Sequence, residues 1–82
     1  MDRDAIRQAL IDAIDQVAPG AVADGFDPDN DMREEFDLDS MDILNIVTAL
    51  HERIGIDIPE SDLDQIASLK RAVDYLERRT QG

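Results

Sequence analysis

The sequence contains no cysteine and a single histidine, His51, among its 82 residues. The absence of cysteine excludes disulfides, thiolate metal sites and a thiol nucleophile supplied by the chain itself. One histidine leaves almost nothing from which a histidine-based metal site or a catalytic triad can be built. The many acids show no pattern that singles out a pair of catalytic carboxylates. We therefore expect a protein that is not an enzyme.

Basic residues are also scarce, since eight lysines and arginines accompany 20 aspartates and glutamates and the net charge is −12. Nucleic acids and anionic membrane surfaces attract positive charge, so neither is an expected partner, whereas basic protein surfaces are. The charge also favours a monomer, because copies of the chain repel one another. No apolar run is long enough to span a membrane, and the first residues do not resemble a signal peptide. Together these features predict a cytoplasmic protein.

The first segment with helical periodicity begins near Asp2 or Asp4, either of which can cap it, and runs to about Ala18. Pro19-Gly20 then ends the helix. Residues 20–38 form a long connection, which we expect to be folded onto the core by apolar anchors. The anchors are Val22, Phe26, Met32, Phe36 and Leu38.

A second helix is predicted from Ser40 to about Ile54, followed by Gly55 at a position suited to a left-handed cap. Asp39 occupies the N-cap position, and Asp42 completes a variant of the capping box. Leu38 and Ile43 have the spacing of a hydrophobic staple. The predicted core face contains Ile43, Ile46, Val47, Leu50 and Ile54, whereas Met41 and Leu44 lie off it.

Two further helices are predicted after the extended connector 56–59. Ser61 can cap a short third helix with Asp64 at the capping-box position, and Ser68 can cap a fourth. The apolar stripe of the fourth helix contains Leu69, Ala72, Val73 and Leu76. No pair of strands is convincing. The sequence therefore predicts one all-α domain over residues 1–82, a four-helix bundle of three longer helices and one short helix with a long first loop.

All three serines lie at predicted helix starts, and capping explains Ser61 and Ser68. Ser40 differs because Asp39 already provides the cap, and because the apolar residues beside Ser40 are not obviously needed by the core. No histidine or lysine lies near Ser40 to act as its general base. The hydroxyl is therefore suited to accept a group from another enzyme, and a helix start suits a phosphate ester there.

Asp39-Ser40-Met41 resembles the Asp-Ser-Leu/Met attachment motif of the acyl carrier protein family. The resemblance extends to the first helix, the long loop, the segment Gly55-Ile56-Asp57-Ile58-Pro59 and the start of the last helix. It implies a carrier with no catalysis of its own. It also implies that a phosphopantetheinyl transferase, using Mg²⁺, moves 4′-phosphopantetheine from coenzyme A onto Ser40. The thiol of this arm then holds acyl groups as thioesters.

The resemblance assigns further roles by position. Asp39 would assist the transferase and its Mg²⁺, while a partner face would meet the basic docking surfaces of acyl-loading ligases or acyltransferases and of ketosynthase-type enzymes. Asn45 and His51 stand where fatty-acid-type carriers usually keep acids, so specialised acyl or polyketide biosynthesis stays open beside fatty acid synthesis. The partner face contains Asp37, Met41, Asp42, Leu44, Thr48 and Glu52, and an acyl cleft or plain core contains Ile43, Ile46, Val47, Ile58, Leu63 and Ile66.

Two alternatives stay open at this point. Asp27, Asp29 and Asp31 resemble the start of a calcium-binding EF-hand loop, but Met32 and Leu38 stand where glycine and the bidentate glutamate are required. A solvated acidic turn without a metal site is therefore the favoured interpretation. The second alternative is a small acidic adaptor that binds basic partners and carries no prosthetic group.

Overall fold

The computed structural model describes residues 2–23 and 25–81. Within these ranges the chain forms four α-helices and one 3₁₀ helix and no strand, with only an isolated bridge between Asp31 and Ser68. The all-α prediction is confirmed. The helices are α1 (Arg3–Val17), α2 (Met32–Glu35), α3 (Ser40–Ile54), the 3₁₀ helix (Glu60–Ile66) and α4 (Leu69–Gln81).

Helix α1 begins where the sequence predicts. The carboxylate of Asp2 accepts a hydrogen bond from the N–H of Ala5 at 2.8 Å, which satisfies one of the free donors of the first turn. The helix ends at Val17, just before Pro19. Its apolar stripe packs mainly against α3 and also against α4. The buried residues of this stripe are Ile6, Leu10, Ala13 and Ile14.

The connection between α1 and α3 is not the plain loop that the sequence predicts, because it contains α2. Asp31 caps this four-residue helix by accepting a hydrogen bond from the N–H of Arg33 at 2.8 Å. A single helical turn is too short to show apolar periodicity, so the sequence pattern could not reveal it. The predicted anchors are confirmed. Met32, Phe36 and Leu38 are buried, and Val22 and Phe26 pack against the core as partly buried residues.

Helix α3 is bounded as predicted, and Gly55 adopts the left-handed conformation with φ of 69°. The predicted core face is shifted, however. Its fully buried centre consists of Ile46, Ala49 and Leu50, whereas Ile43, Val47 and Ile54 are only partly buried. Helix α3 packs chiefly against α1, and the face that it buries includes the small side chain of Ala49, which the pattern of large apolar residues leaves out.

The prediction that Ser61 caps the third helix is wrong. The 3₁₀ helix begins at Glu60 after Pro59, so Ser61 lies inside it, and no side chain caps its first turn. The prediction for Ser68 is confirmed, since its hydroxyl accepts a hydrogen bond from the N–H of Arg71 at 3.2 Å. The predicted stripe of α4 is buried, and Tyr75 joins it.

Two contacts place the later elements around the start of α3. The Tyr75 hydroxyl donates a hydrogen bond to the carboxylate of Asp62 at 2.8 Å, which ties the 3₁₀ helix to α4. The N–H of Met32 donates to the carbonyl of Ala67 at 2.7 Å, which ties α2 to the residues before α4. We call this second junction the α2–α4 corner. In the described part of the chain, no helix has the length and apolar character needed to cross a bilayer.

Candidate functional site

The start of α3 is held by a complete capping box. The carboxylate of Asp39 accepts a hydrogen bond from the N–H of Asp42, and the carboxylate of Asp42 accepts one from the N–H of Asp39. Ser40 is the first residue of the helix and is exposed. Because the two aspartates make the capping bonds, the Ser40 hydroxyl is not needed for the cap, as the sequence predicts.

The approach to Ser40 alternates between the core and the solvent. Phe36 and Leu38 are buried, and the N–H of Leu38 donates to the carbonyl of Arg33 at 2.9 Å. Asp37 between them is exposed and adopts a left-handed backbone conformation with φ of 56°. Aspartate tolerates this conformation better than most residues with a Cβ atom. The turn therefore presents the Asp37 side chain to solvent immediately before the capping box.

A strip of exposed residues runs along α3 from the turn that contains Ser40. Met41 and Leu44 are 63% and 46% exposed, and they are the only large apolar residues classed as exposed in the described ranges. Thr48 and Glu52 continue the strip at helical spacing and are also exposed. We call these four residues the α3 strip. The prediction that Met41 and Leu44 lie outside the core is confirmed.

A groove lies between α3, the 3₁₀ helix and the α2–α4 corner, and Ser40 forms part of its lining. Its volume is about 520 Å³. Of the six residues predicted to line an acyl cleft, only Ile43, Leu63 and Ile66 do so. Ile46 and Ile58 belong to the buried core, and Val47 packs against it. The complete lining is Arg33, Ser40, Ile43, Leu44, Glu60, Leu63, Asp64, Ile66, Ala67 and Arg71.

Four charged residues of the groove escaped the sequence analysis. Arg33 comes from α2, Glu60 and Asp64 from the 3₁₀ helix, and Arg71 from α4. No local pattern marks any of them as part of a groove, since the sequence gives Asp64 only a capping role and the other three no role. Only the packing of three separate elements brings them to one groove.

In the acidic segment that contains the turn before α2 and α2 itself, carboxylates accept hydrogen bonds from nearby donors of the same segment. Asp27 accepts a hydrogen bond from the N–H of Asp29, and Glu35 accepts one from the side-chain amide of Asn30. The Asn30 amide, together with a backbone N–H, lowers the pKa of Glu35. The Arg33 guanidinium likewise lowers the pKa of Asp31. Residues 2–23 and 25–81 contain no cluster of three or more potential metal ligands.

Residues 4–76 match the family described as phosphopantetheine attachment site. The chain belongs to the acyl carrier protein family. The acyl carrier protein of Campylobacter hominis is 35% identical to this carrier over 72 residues, which cover 88% of the carrier and 85% of the relative.

Two further relatives match nearly the whole of this carrier at lower identity. The acyl carrier protein of Rubrobacter xylanophilus is 32% identical over 76 residues, and the match covers 93% of each chain. The mitochondrial acyl carrier protein of Saccharomyces cerevisiae is 28% identical over 79 residues, which cover 93% of this carrier and 63% of the relative. Relatives of this carrier therefore include one that is named as mitochondrial.

The prosthetic group of the family is 4′-phosphopantetheine. The residues around Ser40 fit such a group, because the hydroxyl is exposed and stands outside the capping box. The unpaired N–H groups and partial positive charge of a helix start favour a phosphate ester at this position. The adjoining groove offers an apolar surface to whatever the arm carries.

Proposed function

We propose that this carrier bears 4′-phosphopantetheine on Ser40 and holds acyl intermediates on it as thioesters. The observation that carries this proposal is the exposure of Ser40 on the first turn of α3, where Asp39 and Asp42 make the capping bonds. When bound, the prosthetic group supplies a terminal thiol, which the chain lacks. Residues 1–82 act as one carrier domain.

The chain contributes an acceptor to the attachment reaction and leaves activation to the transferase. The only histidine, His51, lies near the far end of α3, where its Nδ1 is 2.9 Å from a carboxylate oxygen of Asp57. It therefore cannot serve as a base for Ser40. The Ser40 proton passes to a base on the transferase, and Asp39 helps to engage the Mg²⁺ of that enzyme. The carrier itself performs no catalysis.

The partner face combines apolar and acidic residues. Met41 and Leu44 supply the apolar contact, Thr48 and Glu52 extend it along α3, and the exposed Asp37 adds charge beside Ser40. Basic docking surfaces on partners would be attracted by the acids, which speeds encounter more than it strengthens the complex. Such weak binding suits a carrier that must move between enzymes.

Asp42 has a double role in this proposal. Its carboxylate is partly buried and already accepts the N–H of Asp39, so part of its capacity to bind a partner is used within the chain. Asp37, which makes no contribution to the cap, is therefore the stronger acidic contact on this side of Ser40.

The outer face of α3 is the feature that bears on the choice of pathway. Asn45 and His51 are exposed on this face, at positions where fatty-acid-type carriers usually keep acids. Helix α3 therefore presents fewer acids to a partner than the helix of a fatty-acid-type carrier does. The partners are a phosphopantetheinyl transferase, an acyl-loading ligase or acyltransferase, and ketosynthase-type enzymes. They belong to fatty acid or to specialised acyl and polyketide biosynthesis, and the shuttle works as a monomer in the cytoplasm.

The decisive experiment is incubation of the purified protein with coenzyme A, Mg²⁺ and a broad-specificity phosphopantetheinyl transferase, followed by intact-mass measurement. We expect the addition of a single phosphopantetheine. Ser40→Ala should abolish the addition, whereas Ser61→Ala, which removes another exposed hydroxyl, should leave it intact. An unchanged mass under conditions that modify a control carrier would contradict the proposal.

A further inference from the structure

The groove beside Ser40 combines an apolar wall with charged side chains. Its volume of about 520 Å³ falls within the range of roughly 300–1,000 Å³ found for ligand pockets. Ile43 and Leu44 of α3 and Leu63 and Ile66 of the 3₁₀ helix supply most of the apolar lining. A hydrocarbon chain attached through Ser40 would find its contacts there.

Arg33 and Arg71 reach the groove from the α2–α4 corner. The N–H of Met32, the residue before Arg33, donates to the carbonyl of Ala67 at 2.7 Å. The N–H of Lys70, the residue before Arg71, donates at 3.0 Å to a carbonyl of the segment that leads into α2. These two backbone bonds hold both arginines at the same corner, although they are far apart in the sequence.

The neighbouring acids do not neutralise both guanidinium groups. Arg33 is paired with Asp31, with 3.3 Å between nitrogen and oxygen. No carboxylate of the described residues lies within 4.0 Å of the Arg71 guanidinium. Glu60 and Asp64 line the groove from the 3₁₀ helix, and neither forms an ion pair at that distance. The groove is thus acidic on the side of the 3₁₀ helix and basic at the α2–α4 corner.

We propose that the acyl groups carried by this protein end in a carboxylate, which Arg33 and Arg71 bind at the α2–α4 corner. The inference rests on the proposed attachment at Ser40 and names the class of cargo. Arg33 and Arg71 are both exposed at the mouth of the groove, and guanidinium groups bind carboxylates through paired, charge-assisted hydrogen bonds. Glu60 and Asp64 repel the carboxylate from the opposite wall and so fix its direction.

A cargo that ends in a methyl group fits this groove less well. It supplies no hydrogen-bond acceptor to Arg33 or Arg71 and gains nothing from their positive charge. A carboxylate supplies these acceptors while the methylene chain lies on the apolar wall. The cargo class that fits is therefore the monothioesters of dicarboxylic acids.

The test loads the carrier with two acyl groups of equal carbon number, hexanoyl and adipoyl, from the corresponding coenzyme A thioesters. Hydroxylamine then cleaves each thioester, and the rate is divided by that of the free coenzyme A thioester to remove intrinsic reactivity. We expect protection of the adipoyl group to exceed that of the hexanoyl group about fivefold, the upper end of what one exposed ion pair contributes. Arg71→Gln and Arg33→Gln should remove the difference.

The matched control is Arg78→Gln, which removes an exposed guanidinium from the same helix outside the groove lining. It should keep the adipoyl protection, and circular dichroism should show that all three variants are folded. Equal protection of the two acyl groups would overturn the inference. So would an equal effect of Arg33→Gln and Arg71→Gln on both acyl groups, since the arginines would then serve the arm and not the cargo. Failure to load either acyl group would instead overturn the attachment at Ser40 on which the inference rests.

Discussion

The carboxylate of Asp39 accepts the N–H of Asp42 at 2.9 Å, and the carboxylate of Asp42 accepts the N–H of Asp39 at 3.1 Å. These reciprocal bonds satisfy donors that a helix start otherwise leaves unpaired. They also keep the Ser40 hydroxyl out of the local hydrogen-bond pattern. A residue that must be modified by another enzyme is thereby separated from the residues that stabilise its own helix.

The two roles of Asp39, cap and charge, can be separated by substitution. Asp39→Ala should lower the free energy of unfolding by about 1 kcal/mol, whereas Asp39→Asn should nearly retain it, because asparagine caps helices as well as aspartate. Both variants lose the same negative charge, so the general repulsion of the acidic chain changes equally. Urea denaturation measures the stabilities, and initial rates with the transferase should fall for both variants. Equal destabilisation by the two substitutions would show that the cap is not what Asp39 contributes.

The α3 strip should matter for partners and not for the fold. Met41→Ala and Leu44→Ala remove exposed side chains and should change the free energy of unfolding by less than about 0.5 kcal/mol. Leu50→Ala, within the same helix but fully buried, should cost about 2–5 kcal/mol. Transfer or partner turnover should fall about five- to tenfold for the strip variants, as for contact residues at the centre of an interface. Thermal unfolding alongside steady-state kinetics tests this, and an equal loss of fold in Met41→Ala and Leu50→Ala would contradict it.

The acidic turn predicts a specific loss of stability in acid. The Arg33 guanidinium lowers the pKa of Asp31, and the Asn30 amide lowers the pKa of Glu35. A carboxyl group with a lowered pKa in the folded state stabilises the fold above its ordinary value and loses this contribution as the pH falls through the lowered value. The loss should therefore appear below about pH 4, where free carboxyl groups titrate. Asp31→Asn and Glu35→Gln should flatten the stability profile there, whereas Asp29→Asn, a matched charge removal, should leave its slope closer to that of the wild type.

The bond between Tyr75 and Asp62 predicts a second pH effect at the opposite end of the scale. Burial of the Tyr75 hydroxyl, and then its bond to the Asp62 carboxylate, raise the pKa of Tyr75. A raised pKa contributes stability that is complete below the ordinary value of about 10 and is lost as the pH rises through the raised value. Tyr75→Phe should cost about 1 kcal/mol at neutral pH, because Asp62 loses a donor.

The comparison of Tyr75→Phe with the wild type by urea denaturation should show converging stabilities above about pH 10, where the wild type loses the protonated phenol. Tyr75 is a buried residue of α4, and phenylalanine keeps its ring contacts, so the change isolates the hydroxyl. Parallel profiles of the two proteins at high pH would contradict the assigned hydrogen bond.

The sequence predicts those parts of the site that rest on local patterns. The capping box, the exposure of Met41 and Leu44 and the cap at Ser68 all follow from residues within one helical turn of each other, and the structure confirms them. The role assigned to Ser61 is wrong, since the 3₁₀ helix begins at Glu60, two residues earlier than a cap at Ser61 would require. A shift of this size at a helix start lies beyond what periodicity resolves.

The parts that the sequence could not predict depend on contacts between distant segments. Helix α2 has only four residues, and its packing is fixed by hydrogen bonds to residues near the start of α4. Arg33 and Arg71 line the same groove because this junction brings α2 and the start of α4 together. Ala49 is buried, whereas several larger apolar residues of α3 are only partly buried. The packing of α3 against α1 sets which face is buried, and the apolar pattern of α3 alone does not specify it.

The junction between Met32 and Ala67 also has a consequence for the order of events during synthesis. The N–H of Met32, at the start of α2, gains its backbone partner only when residues near the last helix are available. A chain still emerging from the ribosome would therefore expose Met32, Phe36 and Leu38, since closing a long loop must precede the contacts that bury them. The turn before Ser40 would therefore be docked onto the core only on a nearly finished polypeptide.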